Sequence, residues 1–234
     1  MKTNTKASPS LLRGGFYTLP EASRILKIKG IRKIRNWLRE TPGGEEPAVS
    51  LDYEPGDGIS EISFWDLLEI RFVNHFREQG VSAQSIRKAA AAARKELQHK
   101  HPFALSNVRF LTDRKRIFLE SAIQTNDKIL MDIINGQHVM YPIIEEYLAK
   151  GIDFDPSSGL AHRWYPEPDE LPNIVIDPKI AHGRPSVETL GIPTEALYLA
   201  WKAESENIKI VSKWFGIKDK LVKQAIAYEK KLAA

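Results

Sequence analysis

The 234-residue chain has no cysteine, which removes disulfides, thiolate metal ligands and thiol nucleophiles together and fits a reducing compartment. No apolar run approaches the ~18 residues that a membrane span requires, and Met1–Leu12 lacks the apolar core of a secretion signal. The expectation is a cytoplasmic protein with no membrane partner. Also missing are a glycine-rich phosphate loop, a His-Glu-x-x-His pair and a nucleophile elbow. His99 with His101, and Asp153 with Asp155, allow a weak metal site to be drawn, but solvated histidines and an acidic hairpin explain them equally well. No catalytic residue, cofactor or metal ligand is therefore assigned, and a non-enzyme is expected.

The net charge of +4 hides an uneven distribution. Residues 1–40 hold 10 Lys+Arg against 2 Asp+Glu, residues 41–70 hold none against 8, and residues 71–100 hold 7 against 2. A basic segment attracts phosphate through counterion release, whereas an acidic one repels it. Binding to a polyanion is thus confined to part of the molecule.

Within the basic part, Leu19, Ala22, Ile25 and Leu26 recur at helical spacing behind Thr18, Pro20 and Glu21, which supply a cap hydroxyl, a helix-starting proline and an early acid. A turn at Lys29-Gly30 leads to a second helix with Ile31, Ile34 and Leu38 facing inward. Arg32, Lys33, Arg35, Asn36 and Arg39 occupy its other faces. One packed helix followed by one presenting guanidinium, ammonium and amide groups is helix-turn-helix logic. Arginine favours guanine edges and phosphate, and asparagine favours adenine.

Beyond Thr41-Pro42-Gly43-Gly44, Ala48–Leu51 and Ile59–Ser63 read as a hairpin, or wing, across the turn-rich Tyr53–Gly58. Ser63 then caps an apolar helix ending near Gly80, and a further helix runs from Ser82 to about Leu97. This order resembles the MerR-like winged helix-turn-helix over residues 16–97, with Ile34-Arg35-Asn36-Trp37 and Gln79-Gly80-Val81-Ser82 before Ile86-Arg87 carrying the likeness. Its wing differs in bearing Asp52, Glu54, Asp57 and Glu61 where that family presents basic residues, so the wing is expected to face a partner other than DNA.

Residues 101–170 read as a β-rich middle segment: Val108–Leu111 against Arg116–Leu119, Ile129–Ile134 against His138–Met140 across Asn135-Gly136, a helix over Pro142–Leu148, and a hairpin joining Ile152–Asp155 to Leu160–Tyr165. Pro166–Pro172 has linker composition. A short strand, Ile174–Ile176, and a turn at Gly183-Arg184-Pro185 follow. Helices are expected from Ile192-Pro193-Thr194-Glu195 to about Glu204, over Ile208–Phe215 and over Asp219–Leu232, forming a three-helix, helix-turn-helix-like domain with Lys218, Lys220, Lys223 and Lys230 on its last helix. The fold class expected is α+β, mainly α, with a flexible 1–15, a winged domain over 16–100, a middle segment over 101–170 and a helical domain over 171–234.

The order Ile-x-Ile-Asp-Pro, Gly-Arg-Pro, Gly-Ile-Pro-Thr, Phe-Gly-Ile and Ala-Ile-x-Tyr-Glu across residues 174–229 resembles a small antitoxin-associated domain of unknown function. Together with the MerR-like part and Ala161-His162-Arg163-Trp164-Tyr165-Pro166, the chain resembles the large VapB-type antitoxins. Ser186-Val187-Glu188-Thr189-Leu190 departs from that family's Val-Ile-x-Gly-Thr run. The resemblance implies an antitoxin that neutralises a PIN-type ribonuclease toxin and represses its own operator, as a homodimer or a hetero-oligomer with the toxin. DNA-binding candidates are Arg32, Lys33, Arg35, Asn36, Arg39, Lys218, Lys220 and Lys223, and Arg184 is the candidate to plug the toxin's carboxylate site. The alternative is a MerR-like regulator whose middle segment senses a small molecule.

Overall fold

The computed structural model describes residues 14–53, 61–106, 111–135 and 149–233, with side chains except at 111–115. The fold is α+β and mainly helical, with small sheets. No helix among the described residues is long and apolar enough to cross a membrane. The chain divides into two compact units, one spanning Tyr17–Ala161 and the other His162–Ala234 with the segment before Tyr17.

In the first unit, β1 (Tyr17–Thr18) runs straight into α1 (Leu19–Ile25). Thr18 and Glu21 form the reciprocal capping box that the sequence suggests, with the Thr18 amide donating to Glu21 at 2.8 Å and the Glu21 amide to Thr18 at 3.3 Å. Leu19, Ala22 and Ile25 are buried. The chain then turns through Lys27 (φ 55°) and Gly30 (φ 101°) into α2 (Ile31–Trp37), which buries Ile34 and Trp37.

β2 (Glu61–Ile62) pairs antiparallel with β1, Tyr17 opposite Ile62 and Thr18 opposite Glu61. The hairpin expected between Ala48–Leu51 and Ile59–Ser63 therefore needs correction. Ala48–Leu51 is not a strand, because Ala48 and Val49 are buried and the Val49 amide donates to the carbonyl of Trp37 at 3.2 Å. The turn proposed to join them falls largely outside the described residues.

α3 (Phe64–Glu78) and α4 (Ala83–Leu97) occur where sequence places them. Ser63 and Asp66 make a second capping box, and Ser82 caps α4 through the Ser85 amide at 3.0 Å. Gly80 lies at φ 89° between them, where a side chain would also press on Ile129.

The middle segment departs most from expectation. Leu111–Thr125 is one helix, α5, and Lys128–Asn135 another, α6. Thr112–Lys115, expected as a turn, lie within α5, and Ile129–Ile134, expected as a strand, lie within α6, while 108–110 fall outside the described residues. Asp127 accepts from the Leu130 amide at 3.0 Å and begins α6, so that Leu130, Ile133 and Ile134 are buried on one face. Asn135 is the last described residue of α6, and Gly136 of the expected turn lies outside the described residues. Asp127 also accepts from the Ser82 amide at 2.9 Å and the Ser85 hydroxyl at 2.6 Å, capping α4 from a distance. In the core, Phe72 stacks on Phe103 at 3.9 Å and Phe76 on Phe118 at 5.1 Å, binding α3, the 3-10 turn Pro102–Ala104 and α5 together. The helix expected at Pro142–Leu148 and the strand at His138–Met140 lie outside the described residues. The turn of the last hairpin forms, with the Asp155 amide donating to Leu160 at 2.8 Å between β3 (Ile152–Phe154) and β4 (Ala161–Trp164).

In the second unit, β5 (Ile174–Val175), β6 (Ser186–Val187) and β7 (Ile192–Pro193) form an antiparallel sheet, with Ile174 opposite Val187 and Val187 opposite Ile192. Three helices follow: α7 (Thr194–Ala203), α8 (Ile208–Phe215) and α9 (Asp219–Ala233). Asn207 caps α8 through the Lys209 amide at 3.1 Å, and Gly216 at φ 64° ends it. Leu197, Trp201, Val211, Val222 and Ile226 join Ile174 and Val187 in one core.

Candidate nucleic-acid interface

A seven-residue helix such as α2 is marginal on its own and needs tertiary support. Ile34, Trp37 and Leu38 anchor its inner face. Its carboxyl end, where carbonyls lack helical partners, is held by Arg87 of α4. This guanidinium, 7% exposed, donates to the carbonyls of Asn36 and, at 3.3 Å, Arg39. Arg94, two turns further along α4, donates to the Pro47 carbonyl at 2.8 Å and pairs with Glu46 at 3.1 Å. These two arginines thus serve as a frame behind the basic helix.

With its back held in this way, α2 presents Arg32, Lys33, Arg35 and Asn36 to solvent, and Arg39 stands exposed just past its end. None of the five side chains has a hydrogen-bond or ion-pair partner among the described residues. Lys33, Asn36 and Arg39 line an open groove of about 930 Å3, whose walls also include Lys27, Lys29, Arg77 and Arg87 against only Glu40 and Glu78 among acids. Arg32 and Arg35, three residues apart, share a neighbouring face of the helix.

Three carboxylates of the acidic stretch that follows turn away from this surface. Asp66 and Glu69 on α3 are fully buried and Asp52 partly so, all around His101, which is 3% exposed. His101 Nε2 lies 2.8 Å from Asp52 Oδ1, and its Nδ1 lies 3.7 Å from both Asp66 and Glu69. Burial works against charging the imidazole, but the hydrogen bond to Asp52 and the Glu69 carboxylate outweigh it and push its pKa up to about 10. Burial raises Asp66 to about 7 despite the opposing effect of His101.

The other metal-like pairs seen in the sequence have local roles. His99 Nδ1 accepts the backbone amide of His101 at 3.0 Å, so the two histidines do not act as paired ligands. Asp155 caps its own turn through the amides of Ser157 at 3.0 Å and Ser158 at 2.8 Å.

Lys218, Lys220 and Lys223 are exposed at the start of α9, within the second unit. Lys230 is engaged, its ammonium 4.7 Å from the centre of the Trp201 ring. Arg184 is exposed beside the 3-10 turn Ala181–Gly183, with no side-chain partner among the described residues. The motif residues Arg163 and Tyr165 belong to a hydrogen-bonded network. Arg163 pairs with Asp177 at 3.1 Å and with Glu188 at 2.8 Å, and the Tyr165 hydroxyl donates to Glu188 at 2.8 Å. The departure at Ser186–Leu190 thus supplies a counter-ion, Glu188, for Arg163.

Sequence reasoning identified the five exposed side chains of the α2 region but missed Arg87 and Arg94 as its supports. Ile86-Arg87 stood out only as a motif.

No protein-family model matches the chain, and no curated protein does. Among solved structures, the chain is similar to the crystal structure of Rv2018 from Mycobacterium tuberculosis, at 23% identity and a TM-score of 0.68, over 90% of this chain and 96% of that one. That likeness is one of fold, extending over nearly all of both chains.

Proposed function

We propose that this chain is an antitoxin that binds operator DNA through α2 and occludes a PIN-type ribonuclease through its carboxy-terminal region. In this reading β1, α1, α2, β2, α3 and α4 form a MerR-like winged helix-turn-helix, and α7 to α9 form a second, helix-turn-helix-like domain. The observation that carries the proposal is the contrast within one unit: Arg32, Lys33, Arg35, Asn36 and Arg39 stand exposed and unpartnered among the described residues, while the adjacent carboxylates Asp52, Asp66 and Glu69 cluster about His101. Cations left exposed in this way release counterions on meeting phosphate. Two copies of α2 in a dimer, about 34 Å apart, would meet successive turns of one DNA face. Lys218, Lys220 and Lys223 give a secondary phosphate-binding patch.

For the toxin, Arg184 is the candidate plug, since a guanidinium matches the carboxylates that gather metal in a PIN-type site. Ile210 and Trp214, one turn apart on α8 and 36% and 64% exposed, offer apolar surface for the same partner. The test has two arms. The full chain should shift a DNA fragment carrying its own promoter, and the Arg35→Ala/Arg39→Ala variant should not. Co-expressed with a PIN-type ribonuclease encoded beside it, the chain should co-purify and suppress RNA cleavage. Unaltered DNA shifts in the double variant reject the first half, and unimpeded cleavage rejects the second.

A further inference from the structure

The four charged groups around His101 belong to three separate stretches of chain. Asp52 lies in the segment after α2, Asp66 and Glu69 are one turn apart on α3, and His101 precedes the 3-10 turn Pro102–Ala104. All four share a pattern, in which one polar atom has a protein partner and the other has none. Asp66 Oδ2 accepts from the amides of Ser63 at 2.9 Å and Asp52 at 3.3 Å, and Glu69 Oε1 accepts from the Phe103 amide at 3.1 Å. His101 Nε2 is engaged with Asp52. The remaining atoms, Asp66 Oδ1, Glu69 Oε2 and His101 Nδ1, are buried without a hydrogen-bond partner. They converge, with Nδ1 3.7 Å from each of the two oxygens.

That separation is too long for a hydrogen bond, so a proton on Nδ1 satisfies neither carboxylate. It matches two donors sharing one ion, since ligands at about 2.0–2.3 Å from a tetrahedral cation stand roughly 3.3–3.7 Å apart. We infer that this cluster binds one divalent transition cation of the zinc class, with His101 Nδ1, Asp66 Oδ1 and Glu69 Oε2 as ligands. Asp52 has the outer role, accepting the Nε2 proton at 2.8 Å and thereby leaving the Nδ1 lone pair for the metal, the arrangement seen in carboxylate-histidine-zinc triads. Its second oxygen is unpartnered too. One possible ligand atom from each of Asp52, Asp66 and His101 falls within 4.8 Å of the others, and Glu69 joins them through its 3.7 Å approach to Nδ1. A nitrogen donor disfavours magnesium and the lack of thiolate disfavours cuprous ion, leaving zinc and its neighbours. The ion would tie the segment trailing α2 to α3, independently of what α2 binds.

The full chain, stripped with chelator and dialysed, should take up one equivalent of Zn2+ by calorimetry and gain about 5 °C or more in Tm, with little response to Mg2+. Glu69→Gln retains the acceptor for Phe103 but loses the anionic ligand, and should bind Zn2+ at least tenfold more weakly. His101→Gln should abolish binding, and His182→Gln, at an exposed histidine, should leave it unchanged. A wild-type chain that takes up no stoichiometric Zn2+ and shows no change in Tm overturns the site. So does Glu69→Gln binding Zn2+ as tightly as wild type, a result that remains readable even if His101→Gln fails to fold.

Discussion

The two units differ in how their carboxylates stand to their cations. In the carboxy-terminal unit Arg163 is matched by Asp177 and Glu188, Lys231 by Glu170 at 2.6 Å, and Lys230 lies over the Trp201 ring, while Arg184, Lys218, Lys220 and Lys223 remain exposed. In the amino-terminal unit Asp52, Asp66 and Glu69 are gathered around His101, and α2 with Arg39 just past its end keeps five exposed polar side chains unpartnered among the described residues. A matched cation holds a fold together, whereas an exposed and unmatched one is available to a polyanion. The difference therefore separates a surface suited to recognition from a framework suited to rigidity.

The sharpest way to break this contrast is to remove cations from α2. Arg35→Ala/Arg39→Ala should weaken operator binding about 100-fold, flatten the salt dependence by about two units of slope, and leave the Tm within a degree or so. Fluorescence anisotropy over a salt series measures the first two. In the other unit, Arg163→Ala should leave DNA binding alone and cost about 2 kcal/mol in urea unfolding, because Asp177, 2% exposed, loses its counter-ion.

Asp127 tests the support beneath the interface. Burial tends to raise its pKa, but hydrogen bonds from Ser85, Leu130 and Ser82 win and hold the carboxyl below its usual range. Its contribution is thus present above the unfolded value of about 3.9 and lost as pH falls through the lower folded value. Asp127→Asn should cost about 1 kcal/mol near neutrality and remove that share of acid sensitivity, as seen by urea titrations from pH 7 to pH 3. The smallest effect is expected from Lys218→Ala/Lys220→Ala/Lys223→Ala, about threefold in operator affinity. A loss equal to that of the α2 variant would shift DNA recognition to α9.

How much could be read in advance depended on whether the signals were local. Thr18-x-x-Glu21 and Ser63-x-x-Asp66 carry both partners of each cap within four residues, so α1 and α3 were legible. The same was true of Asn207 and Gly216 at the two ends of α8. The middle-segment hairpins were misread because Thr112–Lys115 and Ile129–Ile134, locally compatible with turn and strand, lie within helices whose ends are set by distant partners. Asp127, which caps α6, also accepts from Ser82 and Ser85, more than 40 residues away. Strand β2 was correctly seen as extended, but its partner is β1 rather than Ala48–Leu51, a choice made by long-range register.

For the interface, the sequence by itself determined which side chains of α2 are cationic and which face is apolar, since a period of 3.6 residues separates the two without reference to the rest of the chain. Whether those cations would remain free was decided only by tertiary structure. Asp52, Asp66 and Glu69 are near enough in sequence to neutralise them, and it is His101, brought back by the turn after α4, that draws the carboxylates inward. Charge pairing depends on distances of a few ångströms in space, and a linear pattern specifies these only between residues on the same helix or turn.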